Sequence, residues 1–143
     1  MPKPEKAAKQ PTTEETSAPE RVEDPRQKLL TDAARFAHQI NRAMRAAVGE
    51  EPGPTWEEAP HSDQVSSMIG VAYIIENPDA NPEDLHASWL ETKVSQGWKH
   101  GAVKSIGDKI HPNLVPYEQL PASQKLKDHL FGAVVREFLA LSK

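Results

Sequence analysis

Residues 97–117 read GWKHGAVKSIGDKIHPNLVPY, and most of the side chains able to do chemistry lie in or beside this stretch. Trp98 and Tyr117 offer ring faces, and Lys99, Lys104 and Lys109 offer ammonium groups, with Lys93 just upstream. His100 and His111 add imidazoles, and Asp108 is the lone carboxylate of the stretch. Gly97, Gly101 and Gly107 leave backbone N–H groups open to approach. Cations beside aromatic faces and free N–H groups suit a phosphate or another small anion attached to a ring. The same residues also fit a solvated basic connection between helices, with the tryptophans serving as core.

Covalent or metal chemistry finds less support. His111 precedes Pro112, but no nucleophile with an orienting partner accompanies it, and Ser95 and Ser105 lack an elbow or triad context. A structural hydrogen-bonding role is expected for His111. The six histidines form no H-x-x-x-H or H-x-H pair and there is no cysteine, so neither a metal site nor a cofactor is expected. The pairs Glu50–Glu51 and Glu57–Glu58 sit in breaker-rich connections and read as solvated, while Asp79, Glu83 and Asp84 are accounted for by helix capping. Asp128 is expected to pair with Lys104, Lys109 or His111 and so pin the basic stretch. The expectation is a protein that binds and does not catalyse.

The elements that must position these groups are helical. "DPRQ" at 24–27 supplies an N-cap and a first-position proline. A stripe at Leu29, Leu30, Ala33, Phe36, Ala37, Ile40, Ala43, Met44, Ala47 and Val48 follows, up to Gly49. This amphipathic helix, 24–49, has a broad apolar face that suits its own domain, a dimer or another partner. Ser62 offers a cap for a second helix, with Val65, Met68, Ile69, Ala72 and Ile75 inward. Asn81 and Pro82 open a third that runs to Gly97 and carries His86, Trp89 and Lys93 on one face. Pro121 opens a fourth with Leu126, Leu130, Ala133, Val134, Phe138 and Leu141 as its stripe. The fold class is mainly α: a small domain of about four helices with a short β-hairpin or irregular extended insertion between the third and the fourth.

With 143 residues and a net charge of −4, the chain has room for one domain and a tail, and no broad nucleic-acid footprint. Residues 1–23, rich in Pro, Lys, Glu and Thr, are expected to be a disordered tail. No run approaches the ~18 consecutive apolar residues of a membrane span, and MPKPEKAAKQ lacks the apolar segment of a secretory signal. A cytoplasmic protein is expected.

Read together, the pattern is H-x-x-W-x-x-x-K-x-x-x-G-W-x-x-G from His86 to Gly101, followed by Lys104, Lys109, His111, Pro112, Leu114, Val115, Pro116, Tyr117, Leu120 and Asp128. With Trp56, Ala59 and Pro60 before it, and Pro82 and Glu83 at the third helix, this run resembles the RyR domain. That repeat was first seen in ryanodine-receptor channels and occurs singly in bacterial and phage proteins. The resemblance covers residues 54–141. Two positions depart from it: His100 stands where a second aromatic is usual, and Ser105 where an acidic residue often follows the lysine. The resemblance implies a compact helical unit with a short β element, and pairing of single copies into a homodimer. It also implies a sensor or sink for nucleotide-derived signals. On this basis a ligand site is expected at His86, Trp89, Lys93, Trp98, His100, Lys104, Lys109, His111 and Tyr117. Trp98 and Tyr117 would flank the ring of a nucleotide-like molecule, and Lys93, Lys104, Lys109 and His111 would neutralise its phosphate. The other expectation is a protein–protein interaction or dimerisation scaffold that holds no small ligand.

Overall fold

The computed structural model describes residues 24–142, so the tail expected at 1–23 lies outside the described residues. Four helices follow one another: α1 (Pro25–Ala47), α2 (His61–Glu76), α3 (Pro82–Ser95) and α4 (Ala122–Leu141). Between the last two lie β1 (Lys99–His100), β2 (Ile110–His111) and a 3-10 turn at Tyr117–Gln119. The mainly α class with a short extended insertion is what the sequence implies.

Helix starts follow local chemistry. Asp24 caps α1 by accepting a hydrogen bond from the Arg26 N–H. At α3, Asn81 and Asp84 exchange side-chain and backbone bonds of 2.8 and 3.1 Å, a complete capping box. Helix α2 begins one residue before the expected Ser62 cap. The Pro60 carbonyl already accepts from Asp63 and Gln64, so the first turn closes without a side-chain cap.

Helix α1 packs along α4 and α2, and α3 completes the bundle against α2 and α4. The core gathers Ala33, Ala34 and Ala37 from α1, Val71 and Ile74 from α2, Leu85 from α3 and Val135 from α4. Trp56, Met68, Phe131 and Phe138 pack around it. Two faces differ from the sequence stripes. On α1 the buried line is made of alanines, leaving Phe36 55% and Ile40 41% exposed. On α4 the buried face is centred on Gly132 and Val135, and Leu126 and Leu141 point outward. Small residues set both phases because they let helices approach closely. A Cβ on Gly70 of α2 would stand 3.0 Å from the Phe131 ring of α4, and one on Gly132 would stand 3.3 Å from Leu85.

The insertion pairs differently from a simple hairpin. Strands β1 and β2 run parallel, with Lys99 opposite Ile110 and His100 opposite His111. The chain reverses between them by a tight loop in which Ser105 and Ile110 exchange two 2.9 Å backbone bonds, and Lys109 adopts φ 57°. Ile110 is therefore flanked by Ser105 on one side and by β1 on the other. Gly101 is obligatory for this stacking, since a Cβ there would lie 2.3 Å from Ile110 Cγ2. At the entrance, Gly97 (φ 91°) ends α3 as Gly97 N–H donates to Val94 and Trp98 N–H to Lys93. That motif turns Trp98 back under the helix it follows.

Candidate functional site

The four helices do not close completely on one another. Between them lies a cavity of about 330 Å³, floored by Ala37, Gly70, Leu85 and Phe131. One wall is a run of rings from α3 and the insertion. His86 stacks on Trp89 at 5.5 Å, Trp89 meets His111 edge-on at 5.1 Å, and His111 meets Trp98 at 6.0 Å. The spacing of His86, Trp89 and Lys93 on α3 puts them on one face, and the turn at Gly97 brings Trp98 alongside. Trp98 is 6% exposed, and the Lys93 ammonium sits 4.9 Å above its ring.

The opposite walls are polar. Asn41 Oδ1 from α1, Ser66 Oγ from α2 and Asp128 Oδ2 from α4 are all buried without a protein hydrogen-bond partner, and all three residues line the cavity. Buried polar atoms are nearly always satisfied in folded proteins, and among the described residues two further ones without a hydrogen-bond partner, Arg45 Nε and Gln96 Oε1, lie on residues outside the cavity lining. Lys93 is 3% exposed and is paired with Asp63 at 3.2 Å. Lys104 and Lys127 also line the space, and Lys127 leans toward Glu50 at 3.7 Å. Burial, then the charge of Arg45, pulls Lys127 below the ordinary lysine range while Glu50 holds it up.

Two titrations are displaced in opposite senses. Burial, followed by the positive charges of Lys104 and Lys93, lowers His111 to about 4. Geometry agrees: the Asn113 N–H donates to His111 Nδ1 at 3.0 Å, so that nitrogen is an acceptor and carries no hydrogen. Burial raises Asp128 to about 7, opposed by Lys127.

Of the nine residues expected at a ligand site, the structure brings six to the cavity: His86, Trp89, Lys93, Trp98, Lys104 and His111. Three lie elsewhere. His100 is exposed on β1. Lys109 donates to the Gln96 carbonyl at 2.8 Å and so finishes the end of α3. Tyr117 touches the edge of His86 at 6.2 Å from outside the cavity, with its hydroxyl 3.4 Å from His129 Nε2 and Lys125 over its ring. Asp128 does not pair with Lys104, Lys109 or His111. It faces His86 Nδ1 at 3.9 Å, because α4 presents it to α3 and not to the insertion. Trp56 packs on the core and edge-on to His38 at 5.7 Å. The cavity residues the sequence reading missed, Asn41, Asp63, Ser66 and Lys127, belong to helices whose apolar stripes drew attention first. The available signal was a polar residue one turn on from a buried one, as Asn41 follows Ala37. Among the described residues no group of His, Asp or Glu could hold a metal ion, and no helix is long and apolar enough to cross a membrane.

A family model for the RyR domain matches residues 71–141, from the middle of α2 to the end of α4. The matched span carries the ring wall, Lys93, Lys104, Lys127 and Asp128, whereas Asn41, Asp63 and Ser66 come from the segment before it. The chain therefore carries an RyR domain and belongs to the RyR domain family.

Proposed function

We propose that this chain is a non-enzymatic module that binds a small, planar, phosphate-bearing ligand of nucleotide type in the cavity between its helices. The observation that carries this reading is the set of three buried, unpartnered side-chain oxygens around one space walled by Trp89 and Trp98. Small-molecule sites combine an apolar or aromatic frame with a few convergent polar groups, and about 330 Å³ is at the small end of their range. A mononucleotide suits it better than a dinucleotide. Lys104 supplies charge for an anion, since Lys93 is already committed to Asp63 and Lys127 is shared with Glu50. No nucleophile is oriented by a base at the cavity, and the reading is of a sensor or a sink. Thermal-shift measurements against mononucleotides test it: a ligand at 100 times its Kd adds about 2.7 kcal/mol of stability. Absence of any shift across the panel at millimolar concentration refutes it.

A second reading, a dimerisation scaffold, is favoured by the exposed Phe36 and Ile40 on α1 and Val48 at its C-cap. Sedimentation equilibrium separates the two. A tight dimer that ignores every nucleotide supports the scaffold, and a ligand-responsive monomer excludes it.

A further inference from the structure

His86 is held in one tautomer by the fold. Its Nε2 lies 2.7 Å from the Val115 carbonyl oxygen, and a carbonyl can only accept, so Nε2 carries the hydrogen. The neutral ring then presents Nδ1 as an acceptor, and Nδ1 faces Asp128 Oδ2 across 3.9 Å. That separation is too long for a hydrogen bond, and Oδ2 is buried with no protein partner. With the Asp128 carboxyl ionised, two acceptors are thus turned toward each other across a gap that neither can close, and both residues wall the cavity. Trp89 stacks on His86 and lines the same cavity.

One kind of group satisfies both atoms at once. A nitrogen bearing two hydrogens, about 2.9 Å from each acceptor, donates one to Nδ1 and the other to Oδ2. A carbonyl oxygen in the same place would meet two lone pairs and bring no hydrogen to either. We propose that the gap between His86 and Asp128 is a receptor for a primary amino group on a planar ring, so that the cavity selects amino-substituted heterocycles over their oxo counterparts. The inference deepens the ligand-binding reading above and rests on it. Ser66 and Asn41 line the same cavity, and their buried oxygens have no protein partner.

Calorimetric titration of the full chain with adenine, hypoxanthine, AMP and IMP tests this. It is run at pH 8, above the value of about 7 to which Asp128 is raised, so that the carboxyl is ionised. Adenine and AMP are expected to bind at least tenfold more tightly than hypoxanthine and IMP, because a site built for a donor rejects a ligand lacking it. Asp128→Asn places a donor amide in that wall, and the preference should shrink or reverse while the circular dichroism spectrum is unchanged. Equal binding of amino and oxo forms, or a preference unmoved in the variant, overturns the proposal. If AMP and IMP bind equally but better than the free bases, the phosphate reading stands and the amino receptor falls. If adenine is preferred but AMP gains nothing over it, the receptor stands and the phosphate component falls. Binding by none of the four overturns both.

Discussion

Replacing Asp128 by Asn should stabilise this protein at alkaline pH and leave it unchanged in acid. Burial raises the Asp128 carboxyl from 3.8 to about 7 in the folded chain. Between those values the folded protein holds a proton that the unfolded chain has released, so stability falls as pH rises through that window. The contribution is complete below 3.8 and lost by about 7. At ~1.36 kcal/mol per pH unit the ceiling is about 4 kcal/mol. The side chain keeps 25% of its exposure, and water reaching it reduces the expected effect to about 2 kcal/mol. Asparagine resembles the protonated acid in shape and never ionises. Urea unfolding followed by circular dichroism at pH 4 and pH 8 reads the difference directly: Asp128→Asn should match the native chain at pH 4 and exceed it by about 2 kcal/mol at pH 8. A variant less stable than the native chain at pH 8 would show instead that the carboxylate is ionised and well paired, and the physical description of the cavity would be wrong.

Two further outcomes follow from the same structure. His111 is lowered from 6.5 to about 4, so its contribution is present above 6.5 and lost as pH falls through that interval, opposite in sign to Asp128. The native pH–stability curve should therefore be nearly flat from about 4 to 6.5, while His111→Asn, examined by the same unfolding series, exposes the decline with rising pH that Asp128 causes. Gly101→Ala drives a methyl to 2.3 Å from Ile110 Cγ2 and should cost about 1–3 kcal/mol in thermal unfolding. Ile110→Leu, which removes one of the two carbons on Cβ, should recover part of that loss. If Gly101→Ala is as stable as the native chain, the parallel pairing around Ile110 is misdescribed.

The helices were legible because their signals are local. Asp24 and Pro25, Asn81 with Asp84, and Gly97 act within a turn of where they stand, and each lies at an observed helix end. The packing phase was less legible. Phe36 and Leu126 fit an apolar stripe in sequence, yet close approach through Ala33, Ala37, Gly70 and Gly132 turns the helices so that small residues face inward. Half the candidate site followed from one helix face and the turn after it, which is why His86, Trp89, Lys93 and Trp98 converge. The other half did not, because Asn41, Ser66 and Asp128 meet only through tertiary packing of three separate helices. Lys109 and Tyr117 were read by residue type alone. The Gln96 backbone carbonyl at the end of α3 took the first, and the edge of His86 took the second.

The most direct test of the account plugs the cavity. Ser66 lines that space and its buried hydroxyl has no protein partner, so Ser66→Leu fills it with an apolar side chain without removing a bond. Thermal unfolding with and without AMP is then compared in both proteins. The native chain should gain about 2.7 kcal/mol with ligand at 100 times its Kd. The folded Ser66→Leu variant should gain nothing. An equal gain in both, or none in the native chain at millimolar AMP, would contradict the claim that this space is where the protein receives its ligand.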